Sequence, residues 1–238
     1  AICWKGSPKR PRLLSRRMHN RQCSGSLHAL VRDRETVQTR PASKTRKIER
    51  KTNETDIKVK LNIDGTGDSK IDTGIGFCDH MLSAFAKHGR FDLEVKCIGD
   101  LEVDAHHSVE DIGIAVGQAL NECLGARSGI TRMGDATVPL DEAVVQTVVD
   151  LSGRPFASID LTFISPLIGE LPSELISHML ESIAMNALIT LHVIQKSGKN
   201  DHHIAESAFK SFARALDAAS AYDKRIDGNV PSTKGTLN

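Results

Sequence analysis

Ile57, Val59, Leu61 and Ile63 alternate with polar residues, the period of two that turns every other side chain of a strand toward a core. Ala157, Ile159, Leu161 and Phe163 repeat the pattern. Leu93, Val95 and Cys97 mark a further strand, and Leu191 with Val193 another. Elsewhere the period lengthens. Ile112, Val116, Ala119, Leu120, Cys123 and Leu124 share one face of a helix, as do Ala208, Phe209, Phe212, Ala213 and Leu216. Gly65, Gly67, Gly153 and Pro155 punctuate the strand ends. Two strands, a helix, a strand and a helix therefore occur twice, which predicts an α+β protein of duplicated ββαβα units. Each unit is a mostly antiparallel sheet with two helices on one face.

Short motifs carry the same duplication. Asp79-His80-Met81-Leu82 is matched by Ser177-His178-Met179-Leu180, and Ala105-His106-His107-Ser108-Val109-Glu110 by Asp201-His202-His203-Ile204-Ala205-Glu206. From lone His to His pair is 26 residues in one copy and 24 in the other. An Ala-Leu pair follows each Glu at one offset, Ala119-Leu120 and Ala215-Leu216. Such matched landmarks define two copies of one unit, placed at 47–139 and 140–225, with a tail over 226–238.

Composition and charge add an extension to this body. The 238 residues carry a net charge of only +1, yet residues 1–46 hold 12 Lys or Arg against 2 acidic residues, +10, and the remainder 19 against 28, −9. The first segment lacks periodicity and apolar surface, so disorder is expected of it. A transit peptide, a basic nucleic-acid tail and an upstream extension without function all fit it. The absence of Met at position 1 favours the last. No apolar run is long enough to span a bilayer. One Trp and one Tyr give no stacking platform for single-stranded nucleic acid. Five cysteines without a CxxC pair point to a reducing compartment.

The histidines carry the chemistry. His80, His106, His107, His178, His202 and His203, with Glu110 and Glu206, give eight nitrogen and oxygen donors in two equal sets. Such donors suit Mn, Fe, Co, Ni or Zn, and no thiolate joins them. A lone His is usually a solvated or core residue; two HHxxE elements with two matched single histidines favour metal binding. If the second His of each pair opens a helix, the Glu three residues on shares its face and the first His points elsewhere. One element could then serve two metals. His19 and His28 lie in the extension, and His192 reads as a strand residue. His88 is balanced between the site and the surface.

Cations near Gly or Ser form a second group. Arg132 lies in Gly129-Ile130-Thr131-Arg132, Arg154 in Ser152-Gly153-Arg154-Pro155, and Lys210 one turn after Glu206. Pro231-Ser232-Thr233-Lys234-Gly235 has the hydroxyls and ammonium of a small anion loop. Singly each is an ordinary surface charge; together they suggest a phosphate pocket beside the metals.

These motifs closely resemble the imidazoleglycerol-phosphate dehydratase family over about residues 46–238. The resemblance implies a hydro-lyase of histidine biosynthesis that dehydrates D-erythro-imidazole-glycerol phosphate to imidazole-acetol phosphate. It further implies two Mn2+ per active site binding the substrate imidazole(ate), and sites at subunit interfaces of a 24-mer built from trimers. By matching positions, the metal ligands would be His80, His106, His107, Glu110, His178, His202, His203 and Glu206. Glu54 would be the acid–base residue, and His88, Arg132, Arg154, Lys210, Ser232 and Lys234 the substrate contacts. Without the family, Glu54 is an ordinary carboxylate at a strand start. The chain departs from the commonest family pattern at Ala84, Ala105, Ser108 and Leu171-Pro172. The partner is then a small phosphorylated imidazole, with neither nucleic acid nor membrane, in the cytoplasm, or in a plastid if residues 1–46 are a transit peptide. A metal-dependent hydrolase and a basic-tailed nucleic-acid-binding protein are the competing readings.

Overall fold

The computed structural model describes residues 45–226 and 228–237. The extension expected over 1–46 lies outside them except for its last two residues, and Arg46 already opens a strand. The first repeat runs β1 (Arg46–Lys51), β2 (Thr55–Asn62), β3 (Ser69–Asp72), α1 (Gly76–Gly89), β4 (Asp92–Gly99) and α2 (His106–Leu124). The second runs β5 (Met133–Leu140), β6 (Ala143–Asp150), β7 (Phe156–Asp160), a small hairpin β8 (Leu167–Ile168) and β9 (Leu171–Pro172), α3 (Glu174–Ala187), β10 (Thr190–Ser197) and α4 (Asp201–Ser220).

The two sheets have one topology, β1-β2-β4-β3 and β5-β6-β10-β7. All pairings are antiparallel except the edge strands β3 and β7, which run parallel to β4 and β10. The duplicated α+β architecture expected from the sequence is therefore present, with a parallel edge strand completing each sheet.

Two details of the expected layout change. Hydrogen bonding places β5 in the second sheet beside β6, so the second repeat begins at Met133 rather than at 140. The alternating runs 57–63 and 157–163 are also not counterparts: the first is central strand β2, the second begins as edge strand β7. The true partner of β2 is β6, whose Val144, Val145, Val148 and Val149 leave no clear alternation because its outward face is apolar too. Leu161 and Phe163 lie past the end of β7, packed at the margin of the core.

Each sheet buries one face. In β2, Ile57, Val59 and Leu61 are almost fully enclosed while Lys58 is exposed. Helices cover that face, α1 and α2 on the first sheet, α3 and α4 on the second, and the helices also pack across the repeats, α1 against α4 and α2 against α3. The layers thus run sheet, helices, sheet around one apolar core. Phe85 packs its ring 5.3 Å from Phe212 and 5.2 Å from Phe91, and burying each such ring contributes about 1.5–3 kcal/mol. Gly113 and Gly117 let α2 and α3 approach closely: a Cβ at Gly117 would meet the Ile183 carbonyl oxygen at 2.6 Å.

Candidate metal centre

The crossed helix pairs bring together what the sequence separates. His80 on α1 meets His202 and Glu206 on α4, and His178 on α3 meets His106 and Glu110 on α2. In each group the three ligand atoms lie within 4.8 Å of one another. His80 Nε2 and His202 Nε2 stand 3.3 and 3.2 Å from one Glu206 oxygen. His178 Nε2 is 3.5 Å from Glu110, with the His106 ring centroid 4.8 Å from that of His178. Each triad takes its lone His from one repeat and its HHxxE element from the other.

This overturns the expected pairing inside the HHxxE element. The first His, not the second, shares a face with the Glu. Four residues advance a helix by 400°, leaving His202 and Glu206 about 40° apart, whereas three residues leave about 60° and tilt the pair apart. His107 and His203 turn away, their rings at 88° and 86° to those of His106 and His202.

Caps fix the helix starts that carry the pairs. The Asp104 carboxylate accepts from the His106 N–H at 2.7 Å, and the Asn200 side chain accepts from the N–H groups of His202 and His203. Asp201, itself buried, takes the N–H groups of Ile164 and Ser165 and pins the β7–β8 connection to the start of α4.

The two outward histidines are each held by a carboxylate that the sequence did not single out. His107 Nδ1 is 3.0 Å from Asp100 and its Nε2 3.9 Å from Glu54. His203 Nδ1 is 2.8 Å from Glu142 and its Nε2 3.9 Å from Asp141. Hydrogen bonds to Asp100 and Glu142 raise both imidazoles above their ordinary pKa. Glu142, bonded to His203 and to backbone N–H groups of Asn200 and Lys199, is lowered to about 2. A carboxylate accepting from Nδ1–H leaves Nε2 unprotonated and able to bind a metal. Only Asp100 stands near its pair in sequence, seven residues before His107 and just past the end of β4; Glu142, in the β5–β6 turn, is 61 residues from His203 and had no signal to mark it.

The donors suit a divalent transition metal. They are imidazole nitrogens and carboxylates, and His178 Nε2 is buried with no hydrogen-bond partner. Leaving such an atom unsatisfied costs about 1–3 kcal/mol, which a metal bond would remove.

The cationic residues separate into two groups. Lys210 pairs with Glu206 at 2.7 Å, and burial, with Lys210 and Arg214 nearby, lowers the pKa of His88, so these two residues adjoin the α1–α4 triad. Arg132 instead lies at the far end of α4, where its N–H reaches Ala219 O. Its guanidinium clasps Asp150 at 2.8 and 3.0 Å and reaches Pro231 O at 2.8 Å. Ser232 and Lys234 follow in the same tail, the Lys234 N–H donating to Ser232 Oγ. From Glu206 to Ala219 a helix rises roughly 20 Å, so within one chain this group does not meet the triad. Arg154 is exposed beside Ser152, to whose Oγ its N–H donates. Among the departures, Ala84 is buried on α1 and Ser108 is fully buried with its Oγ unpartnered.

A family profile described as imidazoleglycerol-phosphate dehydratase matches residues 73–216. The chain is 53% identical over 195 residues to the imidazoleglycerol-phosphate dehydratase of Gluconacetobacter diazotrophicus, covering 82% of this chain and 98% of the relative. It is 53% identical over 190 residues to that of Acetivibrio thermocellus, covering 80% and 97%. The crystal structure of the Staphylococcus aureus enzyme superposes with a TM-score of 0.69 at 33% identity, covering 76% of this chain and all of that one. The Pyrococcus furiosus structure gives 0.69 at 36%, covering 80% and 100%.

Proposed function

The chain belongs to the imidazoleglycerol-phosphate dehydratase family, and from that premise we propose that it dehydrates D-erythro-imidazole-glycerol phosphate to imidazole-acetol phosphate in histidine biosynthesis, using two Mn2+ per active site. The observation that carries the metal half of this reading is the pair of crossed His-His-Glu triads. His80, His202 and Glu206 would hold one ion, and His106, His178 and Glu110 the other. When bound, the ions supply Lewis acidity toward the substrate's ring nitrogen and hydroxyl and hold it in place.

The reaction removes a proton from one carbon and the hydroxyl from the carbon beside the ring; these leave as water, and the resulting enol tautomerises to the ketone. Glu54 would carry the proton. Its exposed carboxylate projects from the turn before β2, 3.9 Å from His107 Nε2, and makes no hydrogen bond among the described residues. Lys210, one turn beyond Glu206, puts a positive charge beside the ligands. Burial, with Lys210 and Arg214 nearby, lowers the pKa of His88, which favours a neutral ring toward the substrate. Arg132, Ser232 and Lys234 form the clamp suited to the phosphate.

A single chain does not assemble all of this. The Arg132 group lies at the wrong end of α4 for its own triad, and His107 and His203 present Nε2 away from theirs. Both facts support a homo-oligomer, a 24-mer of trimers in the family pattern, whose sites take residues from neighbouring copies. Arg154 joins the clamp in the same way. The cytoplasm is the proposed compartment, in keeping with buried free thiols at Cys78 and Cys97; the alternative plastid address falls on residues outside those described. No described helix is long and apolar enough to cross a membrane.

Purified protein stripped with a chelator should lose turnover of imidazole-glycerol phosphate and regain it on adding Mn2+. Full turnover after exhaustive stripping would overturn the metal reading.

A further inference from the structure

The sheet registers align the two repeats residue by residue. Leu61 on β2 lies opposite Leu93 on β4, and Val149 on β6 lies opposite Leu191 on β10. Counting back along β2 and β6 from Leu61 and Val149 brings Glu54 and Glu142 to the same place, the last turn residue before the strand. The duplication therefore supplied one carboxylate to each repeat at this point, beside the outward His of its own HHxxE element.

The two carboxylates have different surroundings. Glu142 has both oxygens occupied: Oε2 is 2.8 Å from His203 Nδ1, and Oε1 accepts from the backbone N–H groups of Lys199 and Asn200 at 3.1 and 2.8 Å. In the first repeat the equivalent nitrogen, His107 Nδ1, is held by Asp100. Asp100 lies on the longer β4–α2 connection, 100–105, for which the shorter β10–α4 connection, Gly198-Lys199-Asn200, has no acidic counterpart. Glu54 then faces the other side of its imidazole.

We infer that Glu142 is a positioning residue that fixes His203 as an Nε2 ligand, and that the first repeat gives this task to Asp100, which leaves Glu54 free to move protons. The inference rests on the metal reading above and explains why a twofold-repeated chain has one acid–base carboxylate rather than two. A carboxylate accepting from Nδ1–H keeps Nε2 unprotonated for metal, and losing such a partner weakens metal binding about 10–100-fold.

Glu142→Gln is the discriminating variant. Its single carbonyl oxygen can keep the Lys199 and Asn200 contacts, but its NH2 then faces His203 Nδ1 and drives the proton to Nε2, where a metal would bind. Mn2+ titrations of the full-length assembly, read from the electron paramagnetic resonance signal of free Mn2+, should show one class of sites weakened about 10–100-fold in Glu142→Gln and in Asp100→Asn. Glu54→Gln should titrate like wild type. Thermal melts of the metal-free proteins separate a purely structural role, which lowers the midpoint and leaves Mn2+ affinity alone. Unchanged affinity in Glu142→Gln, or equal weakening in Glu54→Gln, overturns the inference while leaving the metal reading intact. A wild-type protein that takes up no Mn2+ removes both.

Discussion

Glu54 and Glu142 show how much of a carboxylate's role is set by what else it touches. The Glu54 carboxylate makes no hydrogen bond among the described residues, so Glu54→Gln should leave substrate binding near its original strength and cut turnover by at least the 10²–10⁴-fold of general acid–base catalysis. A KM-against-kcat comparison checks this, and near-normal kcat would remove Glu54 from the role. For Glu142 the metal-free protein adds a stability effect to the change in Mn2+ affinity. Its folded pKa of about 2 lies below the ordinary 4.5, so its contribution is present above pH 4.5 and lost as pH falls toward 2. His203 is raised above 6.5, so its contribution is full below 6.5 and lost as pH rises through the folded value. In the metal-free protein, the melting difference between wild type and Glu142→Gln should therefore be largest between about pH 4.5 and 6.5, measured by calorimetry across that range. Neither Glu142 nor Asp100 stood out beforehand, because a single acidic residue at a strand end has no periodicity or spacing to mark it. The six histidines and two glutamates did stand out, since duplication repeated them.

The helices convert those residues into triads by crossing between repeats. Nearly equal spacing of His80–His106 and His178–His202 revealed two copies, yet it could not say that each lone His serves the other copy, because tertiary packing of α1 on α4 and α2 on α3 decides that. The same limit explains why β2 and β7 looked alike: alternation reports a half-buried strand and is blind to whether the strand is central or at an edge. The α2–α3 contact offers a direct test of how packing sets the site. Gly117→Ala gains about 1 kcal/mol of helix propensity. The new methyl would nonetheless sit 2.6 Å from the Ile183 carbonyl oxygen and 2.8 Å from Asn186 Cβ, both on or near rigid backbone, and such overpacking costs about 1–3 kcal/mol. Net destabilisation in chemical denaturation is expected, together with weaker Mn2+ binding at the His106–Glu110–His178 triad, because α3 must move away from α2. A Gly117→Ala protein of unchanged or greater stability would show that the helices have slack.

Composition suggested an acidic body with a basic extension, and the folded body is where the site's parts are distributed. One end of α4 carries His202, Glu206 and Lys210; the other meets Arg132 and the tail of Ser232 and Lys234. A rigid helix of that length cannot bring its own two ends to one small substrate, so the phosphate clamp and the triad of a working site must come from different copies. Mixing two inactive chains tests this. Lys210→Ala lacks the cation beside the triad and Lys234→Ala lacks a clamp ammonium. If a site drew both residues from one chain, no mixture could recover. If it draws them from two, random co-assembly leaves roughly a quarter of sites with both intact, and about that fraction of wild-type turnover should return after joint unfolding and reassembly. Each variant assembled alone stays inactive, and both should show the same oligomer mass as wild type by light scattering. An inactive mixture of correctly sized, co-assembled particles would place Lys210 and Lys234 in the same chain's site, and α4 would then have to bend or the tail detach from Arg132 to bring them together.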